Sequence, residues 1–179
     1  MTRPYILARC MIFISALGAV SSSFAAEAPY ISVGQARVKK TVIAFPEIKL
    51  SGNLASGLGT QIADTVTDDL TFMDFFTFLG KSAFIEDASK AGITPGSFKI
   101  SDWSSVGAEV VLKTALTQQG ANLALEAHLY EAISGKELMA KRLLALPSEI
   151  KILSHTLANN VVEVLTGLPG IFLTKIAMS

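Results

Sequence analysis

The sequence has very few of the side chains that carry most enzyme chemistry. Its 179 residues include one cysteine, Cys10, and two histidines, His128 and His155. Neither histidine has a second histidine, a cysteine or a carboxylate at the spacing of a metal site. No G-x-S-x-G elbow and no G-x-G-x-x-G loop is present. The sequence therefore predicts a protein that is not an enzyme and holds no metal or cofactor; an enzymatic alternative would have to rest on the two histidines.

Excess charge of either sign is also missing. The 15 lysines and arginines equal the 15 aspartates and glutamates, so the chain has no overall positive field to attract a phosphate backbone. This balance argues against nucleic acid as a partner. No motif predicts a small-molecule substrate, and the hydrophobic half of the composition fits a compact domain with a large core.

The first 25 residues have the pattern of a secretory signal peptide. Arg3 and Arg9 precede an apolar run over Cys10–Val20, and small residues precede a cleavage site after Ala25. The run has about 11 residues, whereas a bilayer span needs roughly 20. Cleavage would remove the only cysteine, and Arg9 directly before Cys10 disfavours lipidation there. The expected location is the bacterial periplasm.

Four segments follow from the composition of the chain: a signal peptide (1–25), a mobile amino-terminal arm (26–40), an α/β domain (41–169) and a strand or linker (170–179). In the arm, Tyr30, Ile31 and Val33 alternate as in a short strand but have no partner within their own segment. The arm is expected to be available for contacts outside the domain.

Periodicity within the α/β domain predicts strand, helix, strand, short helix, three strands, helix and a last strand. Apolar residues four apart mark the first helix, where Asp68 and Asp69 are expected on the solvated side, and alternation marks an antiparallel three-strand meander. The segment 86–97 is expected to be a surface loop. The fold class is thus α/β, with a mixed sheet of about five strands covered by two main helices.

Helix ends are predicted from capping residues. Ser101 is expected to cap the short helix and Ser148 the last helix, while Gly167 should end that last helix. Trp103 is expected to anchor the short helix in the core. After Gly167, Ile171–Ala177 is predicted to be an apolar strand.

Five stretches in this order resemble one known family. They are TVIAFPEI (41–48), LGTQIADTVTDDL (58–70), DWSSVGAEVVLKTAL (102–116), YEAISGKEL (130–138) and TGLPGIFLTKIA (166–177). Each alone is a weak signal, but together they resemble the amino-terminal domain of the TolB family of Tol-Pal envelope systems. The resemblance treats Asp102, Trp103 and Gly107 as a structural turn motif.

The resemblance implies a function in protein binding. In this family the domain precedes a six-bladed β-propeller that binds the lipoprotein Pal, and the mature amino terminus reaches the inner-membrane protein TolA. No propeller follows within this sequence, so Pal binding is doubtful for it. The segment that would lead into a propeller contains Gly170, Phe172, Thr174, Lys175 and Ile176.

The arm is the expected TolA-binding segment. Its candidate contact residues are Tyr30, Ile31, Val33 and Arg37, which could add a strand to the edge of a partner sheet. The expected role is a periplasmic, non-enzymatic module that supports outer-membrane integrity and envelope constriction at cell division. An alternative is an accessory domain of similar fold that docks on a cell-wall synthase or a secretion component.

Overall fold

The computed structural model describes residues 39–87 and 90–174. The predicted signal peptide and residues 26–38 of the predicted arm lie outside the described residues. The described strands, in chain order, are β1 (Thr41–Ala44), β2 (Lys49–Ser51), β3 (Phe76–Phe78), β4 (Val110–Gln119), β5 (Asn122–Glu131) and β6 (Glu137–Ala145). The helices are α1 (Gly57–Phe72), α2 (Ile100–Ser105) and α3 (Ile150–Thr166).

The strands form one mixed sheet in the order β3-β1-β4-β5-β6, and β2 also pairs with β4. Strand β1 is parallel to both β3 and β4, while β4, β5 and β6 are successively antiparallel. Helix α1 makes the crossover that a parallel β1–β3 pair requires. The predicted α/β fold with its three-strand meander is confirmed. Strand β2 was not predicted, because three residues are too few to show a period.

One face of the sheet packs against α1 and α3 and forms the main core. Helix α1 contributes Ile62, Val66 and Leu70, and α3 contributes Leu157 and Val161, all of them fully buried. Their spacing of four residues places them on one side of each helix. Burying a side chain of this size contributes roughly 1.5–3 kcal/mol, so this face supplies most of the apolar stabilisation.

The opposite face of the sheet is covered by α2 and by the segment between β3 and α2. Its smaller apolar cluster contains Trp103 of α2 and Val111 of β4, with Phe84 and Phe98 of the segment packed against them. Residues 86–97 were predicted to be a surface loop, and most of the described ones are exposed and lie outside helices and strands; the Glu86 side chain, at 8% exposed, and Ala91 are buried exceptions. The polar composition of this segment concealed its role as a cover for the sheet.

Two predicted helix caps are wrong. Helix α2 begins at Ile100 and its N-cap is Lys99, so Ser101 lies inside the first turn. Helix α3 begins at Ile150 after a 3₁₀ turn over Pro147–Glu149, in which the Glu149 carboxylate accepts a hydrogen bond from the Leu146 N–H. In both cases the helical path starts next to the serine without using its hydroxyl as a cap.

Candidate interaction site

The last two residues of the predicted mobile arm, Lys39 and Lys40, are the first described residues, and both make ion pairs with the domain. Lys39 Nζ lies 2.5 Å from a Glu109 carboxylate oxygen, and Lys40 pairs with Asp74. The Thr41 N–H then donates to the Phe75 carbonyl at 2.9 Å as β1 begins. The chain therefore enters the sheet at a defined point. The predicted contact residues Tyr30, Ile31, Val33 and Arg37 lie outside the described residues.

An open groove of ≈ 310 Å³ lies beside this point, where the end of α3 meets the start of β3. The apolar residues that line it include Phe75 and Leu168, which are 42% and 57% exposed. Lys39 and Thr41 also line the groove. The beginning and the end of the described domain thus share one apolar surface.

The end of α3 follows its predicted geometry. Gly167 has a φ of 73° and its N–H donates to the Glu163 carbonyl at 2.8 Å, which confirms the predicted helix stop. Gly170 lies against α3 so closely that a Cβ there would be 2.5 Å from Asn159 Cα. The Asn159 side-chain oxygen accepts a hydrogen bond from the Phe172 N–H at 3.1 Å. Asn159 therefore holds the chain against the helix after the turn.

The predicted strand over Ile171–Ala177 is wrong for its described part. Residues 171–174 form a turn, in which the Thr174 N–H donates to the Ile171 carbonyl at 3.1 Å. The physical reason is that Asn159 takes the Phe172 N–H that a strand would offer to a neighbour. Phe172 packs against the main core. Lys175 and Ile176 lie outside the described residues.

The Asp102, Trp103 and Gly107 motif packs α2 against the sheet and turns the chain after it. Trp103 is 1% exposed and its ring meets Phe84 edge to face at 4.9 Å between centroids. Gly107 has a φ of 91°, a conformation that favours glycine, and it lets the Ala108 N–H donate to the Trp103 carbonyl at 3.1 Å. Asp102 lies in the first turn of α2, where its negative charge interacts favourably with the helix dipole.

A buried ion pair fastens the covering segment to the sheet. Lys113 of β4 pairs with Glu86, and their side chains are 4% and 8% exposed. Trp103 Nε1–H donates to the other Glu86 oxygen at 3.1 Å, and the Lys113 ammonium lies 4.6 Å from the Phe98 ring centroid. Burial lowers the pKa of Lys113, and Glu86 offsets part of that shift. Nothing in the sequence pairs these residues, which are 27 positions apart.

The two histidines each contact carboxylates. His128 Nδ1 lies 2.5 Å from Glu137 and Nε2 lies 3.0 Å from Glu126. His155 Nδ1 lies 2.7 Å from Asp69, which joins α3 to α1. Asp69 was expected on the solvated side of α1, and this is wrong because its side chain is only 13% exposed.

The described residues contain no group of three or more histidine, cysteine, aspartate or glutamate side chains arranged to hold a metal ion. Among residues 39–87 and 90–174, no helix has the length and apolar character to cross a membrane. Three features of the described surface suit contacts with other proteins: the chain start at residues 39–41, the apolar groove, and β6 as an edge strand of the sheet formed by the described residues.

Comparison with known proteins identifies relatives over most of the chain. A family model described as the TolB amino-terminal domain matches residues 29–138. The Tol-Pal system protein TolB of Anaeromyxobacter dehalogenans is 34% identical over 160 residues, which is 89% of this chain and 36% of the relative. The corresponding protein of Geobacter metallireducens is 32% identical over 129 residues, or 72% of this chain and 29% of the relative.

A solved structure supports the same fold. The crystal structure of TolB from Acinetobacter baumannii superposes with a TM-score of 0.59 at 23% identity, covering 74% of this chain and 30% of that one. The chain spans about a third of the length of these curated relatives, 36% of the first and 29% of the second. On the extent of the family match and on the identity to these relatives, the chain belongs to the TolB amino-terminal domain family.

Proposed function

We propose that the chain is a non-enzymatic, periplasmic protein-binding module of a Tol-Pal-type envelope system, and that it binds a TolA-like inner-membrane protein through residues 26–40. Through this contact it supports outer-membrane integrity and constriction of the envelope at division. The observation that carries the proposal is the family match, which begins at residue 29 and so includes all four candidate contact residues.

The anchored start of the domain supports this role for the arm. Lys39 and Lys40 pair with Glu109 and Asp74, and Thr41 continues directly into β1. A segment that leaves from a fixed point loses less freedom on binding than one attached to a loose linker. Backbone hydrogen bonds from an added strand would supply affinity, while Tyr30, Ile31 and Val33 would fill pockets on the partner.

The test is a calorimetric titration of the chain with the periplasmic domain of TolA from the same organism. Deleting residues 26–38 should abolish binding, and substituting Tyr30, Ile31 and Val33 together by serine should weaken it at least tenfold. Gln35→Ala is the matched control, because it alters the same arm outside the candidate contact residues, and its affinity should equal that of the unmodified chain.

Two results would count against the proposal. No heat of binding with the unmodified chain would reject a TolA-like partner altogether. Unchanged affinity after the deletion would show that TolA binds the folded domain and not the arm. In the same assay Pal should give no binding, since the resemblance assigns Pal recognition to a propeller.

A further inference from the structure

The pairing between β5 and β6 is interrupted at the start of β6. Leu129 lies opposite Met139 and Tyr130 lies opposite Glu137, so the register shifts between them and Leu138 has no partner of its own. In the described residues β6 is also the last strand of the sheet. Leu138 is therefore the weak point in the pairing of β6, while the Glu131 N–H donates to the Lys136 carbonyl at 2.8 Å directly before the strand.

His128 bridges this interruption with its side chain. One ring nitrogen faces Glu137, the first residue of β6, and the other faces Glu126 two residues earlier on β5. The ring lies parallel to that of Tyr130, at 6.0 Å between centroids. A neutral imidazole has one N–H, so only the protonated ring can donate to both carboxylates.

We propose that His128 is a proton-controlled clasp: the protonated ring ties the start of β6 to β5 across the irregular pairing, and loss of the proton frees this part of the sheet edge. In the neutral ring one nitrogen presents a lone pair to a carboxylate. That contact is repulsive, and the side chains must separate or admit water. The sheet edge at Glu137–Met139 then opens more often.

The surroundings of the ring favour its charged form. Burial lowers the pKa of His128, but the hydrogen bonds and charges of Glu137 and Glu126 outweigh it, so that the pKa is raised from its ordinary 6.5. The titratable and charged groups on the same side of the sheet are Lys113 and Glu86, which pair with each other, together with Lys49, Tyr130, Glu126, Glu137 and Arg142. Burial raises the pKa of Tyr130, which therefore stays neutral.

The sign of the pH dependence follows from this direction. Because the pKa of His128 is higher in the folded chain than in the unfolded chain, the clasp contributes fully below about pH 6.5. Its contribution is lost as the pH rises through the raised value. A shift from mildly acidic to alkaline medium is therefore the change that opens the edge.

The test uses the fact that the chain has only two histidines. In a His155→Gln variant the remaining imidazole is that of His128, and its NMR titration is followed in the folded chain and in urea. The midpoint should be higher in the folded chain. Adding Glu137→Gln should lower the midpoint, whereas Glu131→Gln, whose carboxylate contacts Ser134 instead, should leave it unchanged.

A second measurement distinguishes local opening at the start of β6 from a change in the global stability of the domain. Hydrogen-exchange protection at Glu137–Met139, corrected for intrinsic pH effects, should fall between pH 6 and pH 9 while protection at Leu123–Leu125 stays constant. In His128→Gln the protection at Glu137–Met139 should not vary with pH. A folded-state midpoint at or below the urea value, or equal pH dependence in both regions, would overturn the proposal.

Discussion

Substituting Glu86 by glutamine should leave the Lys113 ammonium buried without a counterion. The Lys113 side chain is 4% exposed, so water cannot take the place of the carboxylate. Glutamine keeps the size of the side chain and can still accept the hydrogen bond from Trp103 Nε1–H. The change therefore removes the charge with little effect on packing.

The expected cost is large relative to the stability of a domain. Removing one member of a buried ion pair typically costs about 3–5 kcal/mol, and a domain of this size is stable by about 5–15 kcal/mol. Replacing both members by uncharged groups is often close to neutral, because both desolvation penalties disappear together. The double variant Glu86→Gln with Lys113→Met should thus be more stable than Glu86→Gln alone, by about 2 kcal/mol or more.

Urea unfolding followed by tryptophan fluorescence is the assay, since Trp103 is the only tryptophan and contacts Glu86 directly. The Glu86→Gln variant should also regain stability as the pH rises. Burial already lowers the pKa of Lys113, and losing Glu86 removes the two largest influences that raise it. The unfolded chain then binds the proton more tightly, so unfolding becomes less favourable with increasing pH. A loss below about 1 kcal/mol that does not vary with pH would refute this reasoning.

Two further pairs of substitutions test local packing. Gly170→Ala should destabilise the chain by about 1–3 kcal/mol, because its Cβ would clash with Asn159, whereas Gly57→Ala, which meets nothing within 4 Å, should stabilise it by about 0.4–1 kcal/mol. Both changes are measured by thermal unfolding. If Gly170→Ala lowers stability by less than Gly57→Ala raises it, the chain after α3 shifts away from Asn159 and the predicted clash does not occur. Thr114→Val should be neutral or stabilising by about 1 kcal/mol, since the buried Thr114 hydroxyl has no hydrogen-bond partner among residues 39–87 and 90–174, and exposed Thr117→Val serves as its control. A clear loss on Thr114→Val in urea unfolding would imply a partner for that hydroxyl.

Elements with a sustained period were predictable from sequence. The alternation along β4 and β5 and the four-residue spacing in α1 and α3 each extend over many residues, so the sheet face and the helix faces could be assigned. Elements that depend on few residues were not. Strand β2 has three residues, and the start of α3 depends on a 3₁₀ turn.

The last predicted strand failed for a related reason. Its apolar residues fit a strand, but Phe172 is hydrogen-bonded to Asn159, a residue of α3 13 positions before it, and Thr174 is hydrogen-bonded to the Ile171 carbonyl in a turn. A single side-chain hydrogen bond has no periodic signature. The same holds for His155 and Asp69, which lie 86 positions apart and belong to different helices. Contacts of this kind can be identified only in the folded structure.

The two faces of the sheet differ in what holds them, and this makes their responses separable. The α1 and α3 face depends mainly on apolar burial, with the His155–Asp69 contact between the two helices in addition, so Leu157→Ala should lower global stability by about 2–5 kcal/mol. The other face depends on Lys113 with Glu86 and on His128 with Glu137, whose strength varies with protonation. Loss of the His128 proton should therefore alter the β6 edge more than the apolar packing of α1 and α3 against the sheet.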